Sequence, residues 1–375
     1  MARAPIKGET LRWARSAGHV ALEDLAKAAG TTSLRIEEFE DEVTEPTFRQ
    51  LSLMAAKLDR PLGFFFAPAP SISDVPSAAD FRGRADAEVP SDLAREMKRA
   101  EQHREVMLDL RGPVETSLDI DAVTWTSASQ QAAKLRMQFG LTEMFSPPES
   151  QPNQVFNFWR GLLEAHGVLV FQATRISIET FRGLSIHHDQ LPVILLNGAD
   201  SASGRVFTLF HEVAHIVNRT SGLCLLDDDV NEEAVSNRFA ADFLMPSRVV
   251  RGTVDSDAEP SRMATQVASM FKVSVLAAAV RLRSLDLIDE EALAAIRLES
   301  EDAWQRVRER QRESEGFVPP WRLRYRDLGS NYIGAVAAAL EDRRIDAVDA
   351  TYLLNARLPM VEQLLEEFYR TGGDA

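Results

Sequence analysis

RVFTLFHEVAH, residues 205–215, and NEEAVSNRFAADFLMP, residues 231–246, decide how this chain is read. In the first stretch Phe207, Phe210, Ala214 and Val217 recur at helical spacing, so one side of a helix is apolar. His211 and His215 stand four apart beside that stripe and project from one face, where two imidazoles can share one cation. Glu212 is adjacent to the first of them, within reach of a water on the same cation. Two histidines and a glutamate in this order suit Zn2+, which lowers the pKa of a coordinated water to about 7 and leaves the carboxylate to take its proton.

A catalytic zinc keeps three protein ligands and one open position. The second stretch supplies the third. It reads as a helix with Val235, Phe239 and Phe243 on one side and Glu233 in its first turn. The loop over 216–232 is long enough to reverse the chain and lay this helix against the first. Glu232 is the rival ligand, about 100° away around the helix. Both acids also suit the positive end of a helix dipole without any metal. Asn237, one turn after Glu233 on the same face, is expected to orient that carboxylate.

Taken together, RVFTLFHEVAH and the run from Glu233 to Pro246 resemble the ImmA/IrrE family of zinc metallopeptidases. That family's second motif is E-x-x-A-x-x-F-A-x-x-[LF]-L-M-P. Glu233, Phe239, Ala240, Leu244, Met245 and Pro246 match it, and Ser236 stands where the family has alanine. The resemblance implies His211, His215 and Glu233 as zinc ligands and Glu212 as the catalytic base. It also implies a zincin-like core acting on a protein substrate.

Upstream, GVLVFQ (167–172), FRGLSI (181–186) and LPVILLN (191–197) read as short strands. Zinc peptidases commonly hold an extended substrate along a sheet edge, and either FRGLSI or LPVILLN is a candidate for that edge. His187 and His188 follow the first of these; a solvated loop is the simpler reading, an oxyanion role the alternative. Arg205 reads as one half of a structural salt bridge. Cys224, among Leu223, Leu225 and Leu226, reads as a packed thiol rather than a fourth ligand, and Asp227–Asp229 as a solvated turn.

The first 66 residues read as four short helices: Gly8–Ala17, Leu22–Gly30, one after Thr31-Thr32-Ser33, and one capped by Thr47. LAKAAG, TTSLRIEEFE and EPTFRQLSLMAAKL resemble the Xre-type helix-turn-helix. The PLGFFFAPAP and DFR that follow resemble regulators in which that module is fused to an ImmA/IrrE domain. The resemblance implies that the helix beginning near Ser33 enters the major groove, with Thr31, Thr32, Ser33 and Arg35 as base-contacting candidates and Arg12, Arg15 and Arg49 facing the backbone. Against this, Glu37, Glu38, Glu40, Asp41, Glu42 and Glu45 cluster on and after that helix, and phosphates repel carboxylates. The module is alternatively a protein-interaction or dimerisation unit. A second helix pair at 263–285 has a similar rhythm, but its Val267, Phe271, Val273, Leu276 and Val280 are read as core.

The remaining composition sets bounds. A chain of 375 residues suits two or three domains. With 42 Lys and Arg against 57 Asp and Glu, the net charge of −15 excludes binding nucleic acid over the whole surface. A single cysteine excludes an intramolecular disulfide, there is no run of about 18 apolar residues, and the N-terminus lacks a secretory pattern. A cytoplasmic protein with no membrane partner is expected.

The expected fold is α+β and mostly helical. It comprises a helix-turn-helix bundle (1–70), a linker and connecting helix (71–120), a zincin-like core with a small sheet (121–300) and a helical C-terminal region (301–375). Two functions are consistent with it. One is a regulatory zinc metallopeptidase cleaving a specific regulatory protein. The other is a DNA-binding regulator or antitoxin-like protein whose zinc is structural or sensory. A homodimer is consistent with either, because helix-turn-helix modules usually act as dimers.

Overall fold

Side chains set the ends of the N-terminal helices. Helix α1 spans Gly8–Ala17, and α2 (Leu22–Ala29) stops at Gly30, which takes the left-handed conformation (φ 64°) that a helix C-terminus favours. Helix α3 (Ser33–Glu40) is capped by Thr32, whose side chain accepts from the Arg35 backbone N–H at 3.3 Å. Helix α4 (Phe48–Lys57) begins with a reciprocal capping box between Thr47 and Gln50. A 3-10 turn at Leu62–Phe66 follows. Leu11, Leu25, Ile36, Phe39, Leu51, Met54 and Phe65 form the core of this unit.

The computed structural model describes residues 3–18, 20–58, 60, 62–69, 90–114, 116–220, 222–223, 230–255, 257–313 and 318–371. The linker over 71–78 and the DFR at 80–82 lie outside them. The chain forms two compact units, Met1–Gln102 and His103–Ala375, and the division falls inside helix α5 (Ser91–Arg111).

The second unit is built on a four-stranded sheet. Helices α6 (Ala128–Gln138) and α7 (Pro152–Ala165) precede β1 (Leu169–Ala173), β2 (Gly183–Ile186) and β3 (Val193–Asn197). Helix α8 (Ala202–Val217) leads into the two-residue β4 (Gly222–Leu223). The spatial order is β1-β3-β2-β4, with β1 and β3 parallel and β2 antiparallel to both of its neighbours. Every residue of β1, β2 and β3 is buried, as expected of strands covered on both faces.

This topology corrects the expectation of a free edge. LPVILLN is the β3 strand, enclosed between β1 and β2. FRGLSI is β2, whose outer side pairs with β4 at Leu184 and Ser185. The edges are β1 and β4.

Register divides the sheet into two faces. Gly183 pairs with Leu196 and Ser185 with Ile194, while Leu184 pairs with Leu195. Ile194 and Leu196 belong to the core cluster that includes Leu209 and Val213, so this face is the one α8 covers. On the opposite face Phe171 meets Tyr332 (5.7 Å between rings) and His103 (5.3 Å).

Helices α9 (Val230–Leu244) and α10 (Ser247–Thr253) come next. The helix pair read at 263–285 is α11 (Pro260–Phe271) and α12 (Val275–Ser284), and α13 (Glu290–Glu313) follows. Val267 and Phe271 are core residues, as read. Val280 is not: it lies on the outer face of α12, 46% exposed. Helix α14 (Pro320–Glu341) is broken by a kink at Gly329 (φ 80°), so its second half begins just before Asn331; α15 (Ala347–Leu353) and α16 (Leu358–Arg370) follow it.

These last helices are part of the second unit. Arg160 of α7, paired with Glu164 at 2.9 Å, donates to the Arg326 and Leu328 carbonyls of α14 at 2.7 Å each. Tyr332 of α14 lies 3.0 Å from His103 Nδ1. No single helix among the described residues is long and apolar enough to cross a membrane.

Candidate metal centre

Helix α8 starts at a clear signal. Ser201 caps it, accepting from the Gly204 N–H at 3.0 Å. From there Arg205, Thr208, Glu212 and Ile216 turn toward the sheet, and His211 and His215 fall on the flank next to α9. Helix α9 packs on α8 and α6.

The result is a group of three donors. Nε2 of His211 and Nε2 of His215 lie 3.1 Å apart. Glu233 places one carboxylate oxygen 3.2 Å from the first and the other 3.5 Å from the second. All three ligand atoms fall within 4.8 Å of one another, a set able to hold a metal ion. Glu232 is exposed and contributes no atom to the group.

Both imidazoles are held from behind. His215 Nδ1 is 3.0 Å from Thr220 Oγ1, and His211 Nδ1 is 3.0 Å from Asn237 Oδ1. Such contacts fix the ring orientation and leave Nε2 free to ligate. Asn237 was expected to orient the Glu233 carboxylate; the structure pairs it with the His211 ring instead. One helical turn carries residue 237 past the carboxylate and toward α8. Thr220 went unread because a hydroxyl just past a helix end is too common to single out.

The charges agree with a cation site. Burial acts to raise the Glu233 carboxyl, but hydrogen bonds and charge from His211 and His215 outweigh it and hold it far below the usual range. Burial acts to lower His215, and the Glu233 hydrogen bond with the Glu212 and Glu233 charges brings it above the ordinary imidazole value.

Glu212 is wholly buried, and neither carboxylate oxygen has a hydrogen-bond partner among the described residues. A buried carboxylate without a partner costs several kcal/mol of lost solvation. A water held beside the two imidazoles would relieve that cost. Two imidazole nitrogens, one carboxylate and this unpaired buried acid fit zinc with an open position.

Glycine at 183 is what lets the sheet approach this acid. A Cβ there would lie 2.4 Å from Thr208 Cγ2 and 2.8 Å from Glu212 Oε1. The glycine had no recognisable signal in the sequence, since its purpose appears only when β2 is laid on α8.

Residues 163–283 match the family model of the M78 peptidases, described as the IrrE N-terminal-like domain. The matched segment is about a third of the chain and contains all of the residues just described. It supports a metallopeptidase of the IrrE/ImmA kind, and a zincin-like M78 domain is present within the mostly helical α+β fold. No curated protein matches the chain.

The other candidates fall elsewhere. His187 approaches Asp189 (3.8 Å), and burial, then the Arg219 charge, lowers it from the usual imidazole value. Among the described residues Arg205 forms no salt bridge of the kind expected: it donates to the side-chain oxygens of Gln172 and Asn153 (2.9 Å to the latter) and is buried against the Phe156 ring. Cys224 and Asp227–Asp229 lie outside the described residues.

In the N-terminal unit, α2 and α3 are joined by the turn Gly30–Thr32. Thr32 spends its hydroxyl on the α3 cap, and the Thr31 N–H donates to the Ala26 carbonyl (2.9 Å). Ser33 opens α3, and Arg35 binds Glu38 at 2.5 Å over the Phe39 ring. Arg12 and Arg15 do not present free cations for a phosphate backbone. Arg15 reaches the buried Glu40 at 2.6 Å, and Arg12 bonds Glu40 and Asp41. A buried carboxylate needs these partners, so folding claims the charge that DNA would need. Arg49 is exposed on α4.

Proposed function

We propose that this protein is a zinc metallopeptidase that cleaves a protein substrate, with His211, His215 and Glu233 as ligands and Glu212 as general base. The observation that carries the reading is the fully buried Glu212 carboxylate, without a hydrogen-bond partner among the described residues, beside three convergent donors. Bound zinc would supply Lewis acidity, activating water and polarising the scissile carbonyl. Glu212 takes the proton of the attacking water at a carboxylate oxygen and returns it to the leaving amine. His211 and His215, oriented through Nδ1 by Asn237 and Thr220, keep Nε2 toward the site. Burial keeps bulk water from Glu212 and sharpens the pull of its charge.

The N-terminal unit is proposed as a helix-turn-helix-type recognition module. Its arginines, tied to Glu38, Glu40 and Asp41, favour a protein partner over DNA phosphates. Tight DNA binding with a steep salt dependence would overturn that assignment.

The test of the peptidase is elemental analysis of the purified full chain. One zinc per chain is expected, lost in His211→Ala and Glu233→Ala and retained in Glu212→Gln. A protein substrate, identified as a species that accumulates in cells carrying Glu212→Gln, would be cleaved by the parent alone. Cleavage by Glu212→Gln at the parental rate refutes the mechanism.

A further inference from the structure

A second buried polar side chain faces the same place as Glu212. Ser185 of β2 is fully buried, and its Oγ has no hydrogen-bond partner among the described residues. An unsatisfied buried hydroxyl is uncommon in a folded protein and calls for a physical reason.

Its direction follows from the strand. Side chains alternate across a sheet, so Ser185 shares a face with Gly183. Gly183 faces α8, since a Cβ there would press on Thr208 and Glu212. The register agrees: Ser185 pairs with Ile194, whose side chain belongs to the core that α8 seals. Further along the chain, His187 makes a hydrogen bond with the Ile216 backbone, one helical turn past Glu212. Ser185 therefore crosses α8 between Glu212 and Ile216. Its register partner on the outer side is Gly222, which brings no side chain onto this face.

Two unpaired groups of complementary chemistry thus line one side of α8: a hydroxyl that can donate and a carboxylate that can only accept. We propose that Ser185 is a positioning residue for Glu212. No direct bond joins the two groups, so the hydroxyl donates through one bridging water to the carboxylate oxygen turned away from the reacting water. The arrangement would leave the other oxygen aimed at the proton it must take. This inference rests on the metallopeptidase reading and adds a residue that neither the two motifs nor the metal group contains.

The experiment uses the zinc-loaded full chain and acetohydroxamic acid, a chelator that gives up a proton on binding zinc and so needs a neighbouring base. Affinity is read by calorimetry, with zinc content and melting temperature measured on the same samples. Ser185→Ala is expected to weaken the chelator about tenfold while zinc content and melting temperature stay at the parental level. Ser185→Cys, which keeps the volume with a weaker donor, falls between. In a Glu212→Gln background, Ser185→Ala changes nothing further, because the serine acts through the glutamate.

Parental affinity in Ser185→Ala overturns the proposal and leaves the peptidase reading intact. So does loss of zinc in Ser185→Ala, or an undiminished effect in the Glu212→Gln background. If the zinc-loaded parent itself does not bind the chelator, the peptidase reading falls and the proposal falls with it.

Discussion

Replacing Gly183 by alanine adds one methyl group at the closest approach of β2 to α8. The added carbon would sit 2.4 Å from Thr208 Cγ2 and 2.8 Å from Glu212 Oε1. Thr208 is short and β-branched, with only two usual χ1 positions in a helix, so it has little room to swing aside. Glu212 can move, but only by shifting its carboxylate within a buried site. The strand must therefore lift off the helix or the glutamate must leave its place. Overpacking of this kind costs about 1–3 kcal/mol. For a unit of this size about 1 kcal/mol lowers the melting temperature by about 2–4 °C, so a fall of about 2–12 °C is expected. Differential scanning calorimetry measures it. Gly161→Ala in α7 is the control, since a Cβ there meets nothing within 4 Å and alanine favours the helix; it should be neutral or stabilising. Thr208→Ser in the same chain as Gly183→Ala removes the nearer clash and should recover much of the stability. On the proposed mechanism peptidase activity should fall more than stability does, because the displaced group is the proposed base. A Gly183→Ala protein with parental melting temperature and parental activity would refute this account of how the sheet seats Glu212.

Three further outcomes are expected. Asn237→Ala and Thr220→Ala each release one imidazole from behind and should weaken zinc binding about 10–100-fold, as read by chelator competition, without removing a ligand. Asp242 is buried against Arg281 and accepts from Ser129 at 2.5 Å; Asp242→Ala strands the Arg281 charge and should cost about 3–5 kcal/mol in urea unfolding. In the metal-free protein, Glu233 and His215 set a pH window. The Glu233 carboxyl stands below its ordinary 4.5, so its contribution is complete above that pH and is lost on acidification. The His215 imidazole stands above its ordinary 6.5, so its contribution is complete below that pH and fades as pH rises through the folded value. The stability difference between the parent and Glu233→Gln, measured in chelator, should therefore be largest between about pH 4.5 and 6.5.

Local chemistry made much of this molecule legible before any coordinates. Helical spacing brought His211, Glu212 and His215 onto one helix, and the acid-led run after residue 231 marked the helix that carries Glu233. Caps at Thr32 and Thr47 and the stop at Gly30 are local events, set by a side chain and its nearest backbone groups. Such features depend on residues within about one turn of each other, and a sequence displays those directly.

Other features depend on which elements meet, and no local pattern records that. Strand order was undetermined by sequence: three apolar runs look alike and all three are buried on both faces, and only the tertiary pairing makes LPVILLN central and leaves β1 and β4 as edges. The partner of His211 is Asn237 because α9 crosses α8 at one particular depth, whereas spacing along α9 pointed to the glutamate. Arg12 and Arg15 looked available for phosphates until the bundle buried Glu40 and drew them in. Gly183 and Ser185 acquire meaning only where β2 lies on Glu212. Sequence thus determined the chemistry of the donor set, through spacing on single helices. Tertiary packing decided what surrounds it, because contact and burial are properties of pairs of elements rather than of either one.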